Sequence, residues 1–137
     1  MSKFKESVLK VIGLIPEGKV MSYGQVALYV GAPRAARQVG GILNQSKDSD
    51  MIPWWRVVNN AGRISIKNFI YSADQQSELL KQEGLKIAKD FTFDIEKYRF
   101  SPDESFMRKL ELDPFYLENI LMSMPFSKPY FKKKSVA

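Results

Sequence analysis

The chain has no cysteine and no histidine among its 137 residues. The first absence excludes disulfides and thiolate nucleophiles, the second excludes imidazole general bases, and together they exclude the zinc sites built from these ligands. Any catalysis has to run on carboxylate, hydroxyl or lysine groups. No apolar run approaches the roughly 20 residues that cross a bilayer, and the start, Met1-Ser2-Lys3-Phe4-Lys5-Glu6, does not read as a secretory leader. The expectation is an intracellular protein away from membranes, with no metal and no cofactor.

What is present suits one domain and an appendage. With 45% hydrophobic residues the chain can bury one sizeable core and is too short for two large ones. The net charge of +6 is uneven: positions 1–45 carry Lys3, Lys5, Lys10, Lys19, Arg34 and Arg37 against Glu6 and Glu17, so +4 of it lies there. That third is the candidate face for a polyanion, with a generic solvated surface as the alternative.

In chain order, Phe4, Val8, Val11, Ile12 and Ile15 follow Ser2 at helical spacing, and Pro16-Glu17-Gly18 ends the pattern. Ser22 caps a short second helix that Gly31 closes. A third helix over about 34–44 sets Arg34, Arg37 and Gln38 among the small residues Ala35, Ala36, Gly40 and Gly41. Such a face admits close approach and surrounds it with hydrogen-bond donors. Two short helices joined by a glycine-containing turn, the second basic and small-faced, predict a helix-turn-helix DNA-binding element. Close helix packing through Gly40 and Gly41 is the competing reading of the same residues.

The most distinctive stretch is Ile52-Pro53-Trp54-Trp55-Arg56-Val57-Val58-Asn59. Proline fixes its own φ and extends its predecessor, so the tryptophans sit on a rigid turn that runs into a strand. Neighbours on such a chain face different ways, which argues against both indoles sharing one core and leaves one to line a cavity. Ordinary core or interface aromatics are the alternative. Asn59-Asn60-Ala61-Gly62 is a turn cluster, and the alternating Arg63-Ile64-Ser65-Ile66 completes a hairpin, a wing whose Arg63 and Lys67 can reach a phosphate backbone. Ser72-Ala73-Asp74-Gln75 has capping-box spacing for a helix that ends at Glu83-Gly84, and Leu85, Ile87, Phe91, Phe93 and Ile95 predict extended or irregular pieces.

The segments Ser22-Tyr23-Gly24-Gln25-Val26-Ala27, Gly31-Ala32-Pro33-Arg34-Ala35-Ala36-Arg37-Gln38-Val39-Gly40-Gly41 and Ile52 to Asn59 resemble the DNA-binding domain of the O6-alkylguanine-DNA alkyltransferases. The resemblance spans about residues 3–88 in the family's order and spacing. Within that superfamily the chain looks like an alkyltransferase-like protein. Where the alkyltransferases follow Pro53 with an alkyl-accepting cysteine and a histidine that helps form its thiolate, this chain has Trp54 and Trp55. Alkyl transfer to cysteine is thereby excluded, and a non-enzymatic protein is expected. Alkyltransferase-like proteins commonly keep the histidine, so Trp55 departs from them too. Glu83 resembles the carboxylate that orients that histidine; with no imidazole to orient, it reads as helix-end polarity.

The resemblance implies roles residue by residue. Tyr23 crowds the phosphate and helps rotate a damaged nucleotide out, and Arg37 enters the stack it leaves. Ser22, Gln25, Arg34, Ala35, Gln38 and Asn44 meet the DNA backbone and groove, here the minor groove. Trp54, Trp55, Val57, Ser65 and Lys67 form a lesion pocket, with Trp54 as an apolar wall for an alkyl group on guanine O6. Lys67 stands where related proteins place an arginine, which predicts weaker discrimination among alkyl groups.

The expected fold is mainly α: a winged helix-turn-helix DNA-binding domain with a small β-hairpin wing over residues 1–100, then a helical C-terminal extension over 101–137. In the extension, Ser101-Pro102-Asp103-Glu104 and Asp113-Pro114 signal two short helices, followed by a basic tail. Their apolar residues dock on the protein's own core or on a repair protein. The function this implies is a sensor that binds O6-alkylguanine in duplex DNA, flips it and flags it for another pathway, nucleotide excision repair, acting as a monomer beside DNA in the nucleoid or nucleus. The alternative is a winged-helix regulator without lesion specificity. An enzyme with a non-thiol nucleophile is a third, for which the sequence offers no preorganised pair of groups.

Overall fold

In the computed structural model, which describes residues 3–45, 51–64, 73–110 and 112–123, the first amphipathic stretch is helix α1 (Lys3–Gly13), with Val8, Val11 and Ile12 on its buried stripe. Strand β1 (Met21–Ser22) leads directly into α2 (Tyr23–Tyr29), and α3 (Ala36–Asn44) follows after Gly31, whose φ of +86° supplies the left-handed break. A single 3₁₀ turn over Trp54–Arg56 opens into β2 (Val57–Val58). Then come α4 (Ala73–Gln82), α5 (Ile95–Tyr98), α6 (Glu104–Arg108) and α7 (Pro114–Ser123). The chain is mainly helical with a small two-stranded sheet, and α2 packs directly on α3.

The strand expected at Val57 and Val58 forms, and among the described residues its ladder partner is β1. β2 runs parallel to β1, Met21 opposite Val57 and Ser22 opposite Val58, with all four residues buried. The turn after it does form: the Asn59 side-chain oxygen accepts from the Ala61 and Arg63 amides at 3.1 Å each. That turn is pinned to the later chain, since Phe93 donates to the Gly62 carbonyl at 2.9 Å and a Cβ on Gly62 would lie 2.5 Å from the Phe93 oxygen. Arg63 consequently bridges Thr92 in antiparallel fashion. Ser65 and Ile66, the rest of the expected second strand, and Lys67 lie outside the described residues.

Several boundaries move by a residue or two. α3 begins at Ala36, after Arg34, and its preceding residue Ala35 offers no side-chain cap. Asp103, two residues beyond the expected Ser101, caps α6 by accepting from the Phe106 amide at 2.8 Å. Asp94 caps α5, a helix the apolar spacing around Ile95 did not predict. Asp113 caps α7 as the cap-proline signal predicts, accepting from the Tyr116 amide at 3.1 Å.

The core has two parts. The larger gathers Val8, Val11, Ile12, Ile15, Met21, Val26, Leu28, Tyr29, Val39, Leu43, Trp54 and Val57, and Met107, Leu117, Ile120 and Leu121 from the extension join it. The smaller holds Val20, Val58, Ile64, Leu80, Leu85, Ile95 and Tyr98. The extension therefore closes the same core that positions α2 and α3. Tyr116 adds a hydrogen bond of 2.6 Å from its hydroxyl to the Leu28 carbonyl at the end of α2. No helix among the described residues is long and apolar enough to cross a membrane.

Candidate nucleic-acid interface

The entry to α2 is a capping box. Ser22 Oγ accepts from the Gln25 amide at 3.0 Å, and Gln25 Oε1 accepts from the Ser22 amide at 3.1 Å. Gln25 Nε2 also donates to the Phe100 carbonyl at 2.9 Å, and Arg99 Nη1 donates to Gln25 Oε1 at 2.8 Å. Both residues are buried, with Gln25 wholly inaccessible. This corrects their expected place among the DNA contacts: their polar atoms hold the start of α2, because the serine and glutamine spaced three apart satisfy each other inside the protein.

Tyr23, the first residue of α2, is half-buried, and burial raises its pKa, so it stays a neutral hydroxyl at physiological pH. α3 sends Val39 and Leu43 inward and leaves Arg37, Gln38, Gly41 and Asn44 exposed. An open hollow of about 530 Å³ lies along that face, lined by Tyr23, Ala36, Arg37, Gly40, Gly41 and Asn44. A second, of about 320 Å³, is lined by Ala32, Pro33, Arg34, Ala35 and Gln38. The fold thus brings Tyr23, Arg37 and Asn44 together, and Arg34, Ala35 and Gln38 beside them. A Cβ on Gly40 would meet only Tyr23 Cε1, at 4.0 Å, and one on Gly41 would meet nothing within 4 Å. Packing inside the protein therefore does not require these glycines.

At the tryptophan turn the two indoles part as the backbone geometry predicts. Trp54 is 6% exposed and belongs to the larger core, whereas Trp55 is half-buried against both cores. The rings stand edge to face, 5.9 Å apart at 88°. Val57 is 1% exposed, so its side chain serves the core behind the turn. Of the expected lesion pocket, Trp54, Trp55 and Val57 are adjacent here, and Ser65 and Lys67 lie outside the described residues.

Glu83 is more than helix-end polarity, which corrects the sequence expectation. Its carboxylate accepts from Trp55 Nε1 at 2.7 Å, from the Gly18 amide at 2.9 Å, and from Arg56 through Nε at 3.0 and 3.1 Å and Nη2 at 2.7 Å. Arg56 also donates to the Ile15 carbonyl at 2.8 Å and lies 5.5 Å from the Trp55 ring centroid. Burial works against the charge on Glu83, but the Arg56, Gly18 and Trp55 donors outweigh it and hold the carboxyl below its ordinary pKa. Gln76 Nε2 fixes the backbone of the same turn, donating to the Trp55 and Val57 carbonyls at 3.1 and 3.0 Å. Sequence reasoning missed Arg56 and Gln76 in this role, since no local pattern joins positions so far apart.

A helix-turn-helix with a basic, small-faced second helix beside a rigid aromatic turn defines a DNA-binding class of domain, and comparison with known proteins narrows it. Residues 3–85 match the DNA-binding domain of the 6-O-methylguanine DNA methyltransferases, and the chain belongs to that family, as a cysteine-free, alkyltransferase-like relative. It is 39% identical over 98 residues to the DNA base-flipping protein of Escherichia coli K12, covering 72% of this chain and 74% of that protein. It is 33% identical over 106 residues to alkyltransferase-like protein 1 of Schizosaccharomyces pombe, covering 74% of this chain and 98% of the relative. The fold matches the crystal structure of S. pombe Atl1 in complex with damaged DNA containing O6-carboxymethylguanine, with a TM-score of 0.69 at 33% identity over 74% of this chain and 98% of that one. About a quarter of the chain thus has no counterpart in the yeast protein.

Proposed function

We propose that the protein is a non-enzymatic sensor of O6-alkylguanine in duplex DNA. The observation that carries this reading is the convergence of Tyr23 and Arg37 on one open hollow of α3. In this reading α3 enters the minor groove, where Ala36, Gly40 and Gly41 admit the sugar edges and Arg34, Ala35, Gln38 and Asn44 meet backbone and groove. Tyr23 crowds the phosphate of the damaged nucleotide, and the Arg37 guanidinium takes its place in the stack, recovering part of the few kcal/mol that flipping costs.

The extruded base rests beside Trp55, with the edge of Trp54 behind it. An alkyl group there gains contact area at about 25 cal/mol per Å² buried. An indole is not a nucleophile as a thiolate is, so the alkyl group stays on the base and the held lesion is handed to another pathway, nucleotide excision repair. The names of relatives as base-flipping and alkyltransferase-like proteins, and the complex of Atl1 with a carboxymethylated guanine, support the assignment. A single copy suffices, and residues 1–100 supply the DNA-facing parts while the extension that begins at 101 supports them through α6 and α7.

Substitution tests the flipping roles. Arg37→Ala and Tyr23→Phe should each weaken binding to a duplex with one O6-methylguanine by about tenfold or more, which is about 1.4 kcal/mol, with melting temperatures unchanged. Lesion binding that survives both substitutions would overturn the flipping assignment even if DNA binding remains.

A further inference from the structure

Trp55 differs from Trp54 in what holds it. Trp54 is enclosed by the core, whereas Trp55 keeps an open side. The Trp55 backbone is fixed independently, through the bond from Gln76 to its carbonyl. Its ring angle is therefore the remaining freedom at the turn. An indole has one nitrogen, which can only donate, so one acceptor sets that angle. The acceptor is Glu83 at 2.7 Å, itself locked by Arg56 and the Gly18 amide, and Arg56 bears on the ring as well. A charged acceptor makes the stronger kind of hydrogen bond.

We propose that Glu83 is a positioning residue for lesion recognition: by holding the Trp55 indole at one angle against Trp54, it sets how strongly a purine bearing an O6-alkyl group is preferred over guanine. This rests on the sensor reading above. Contact area with a small alkyl group falls steeply when a flat ring rotates away, and guanine, lacking that group, loses little. Undamaged DNA is met mainly by α3, which Glu83 does not touch. Losing the Glu83 to Trp55 bond should therefore lower the preference and spare general DNA binding.

The experiment measures affinities for two duplexes identical but for one O6-methylguanine in place of guanine, using the full chain and the variants Trp55→Phe, Glu83→Ala and the double variant. The ratio of the two affinities is the readout. Trp55→Phe and Glu83→Ala should each lower it about tenfold, and the double variant should lower it no further, because the bond from Trp55 to Glu83 is the one through which both act on the ratio. Glu83→Ala should bind the undamaged duplex within about twofold of the parent. The near-ultraviolet circular dichroism of the edge-to-face indole pair should collapse in Glu83→Ala while the helical signal stays. Should Glu83→Ala fail to fold, Trp55→His decides: it restores a ring N–H and should recover much of the ratio that Trp55→Phe loses. An unchanged ratio, losses that multiply in the double variant, or no recovery with histidine would overturn the proposal. A parent ratio of one would overturn the sensor reading itself, and this proposal with it.

Discussion

At Gly41 an added methyl group meets nothing within 4 Å, yet the residue sits in the exposed part of a nine-residue helix, where glycine is costly. The fold gains nothing from it. Gly41→Ala should raise helix stability by about 1 kcal/mol and the melting temperature by a few degrees. It should also weaken DNA binding, because the methyl projects into the hollow shared by Tyr23 and Arg37. Thermal unfolding and DNA titration on one preparation would then move in opposite directions, and a rise in both would remove the close-approach role from this face. That Tyr23 and Arg37 share one face was legible at this scale because both belong to one short helix-turn-helix stretch. Gln25 was misread although Ser22 and Gln25 stand at capping-box spacing, a signal that predicts an inward amide.

Among the elements, α6 and α7 buttress α2 and α3 through the shared core. Met107 is fully buried in the cluster that holds Val26, Leu28 and Val39, and Tyr116 bonds the last turn of α2. Met107→Ala should cost about 2–5 kcal/mol in denaturant unfolding, as for other large buried side chains. DNA affinity measured where the variant is still folded should be unchanged, since no residue of α6 lines the α3 hollows. A loss of affinity in the folded variant would instead give the extension a direct part in binding. The existence of α1, α2, α3, α4, α6 and α7 was legible from spacing, caps and breaks. The pairing of β2 with β1 was not, because two-residue strands buried on every side carry no alternation, and turn residues alone do not say which strand lies alongside.

For the whole molecule, charge, absence and order point the same way. The basic first third contains α2 and α3, the chain contains no thiol, and the aromatic turn sits on the core that supports both helices. The surface proposed to face DNA was readable from residues 22–44 because its parts are contiguous. The clamp of Glu83 on Trp55, Arg56 and Gly18 was not, since it joins positions up to 65 residues apart through tertiary packing alone. The most direct test of a sensor that holds a lesion without repairing it is a titration at fixed salt into two identical duplexes, one with a single O6-methylguanine and one with guanine, followed by recovery of the DNA. Tighter binding to the lesion with the methyl group still on the base is the predicted result. Equal affinity for the two duplexes, or a methyl group lost from the recovered DNA, would contradict it.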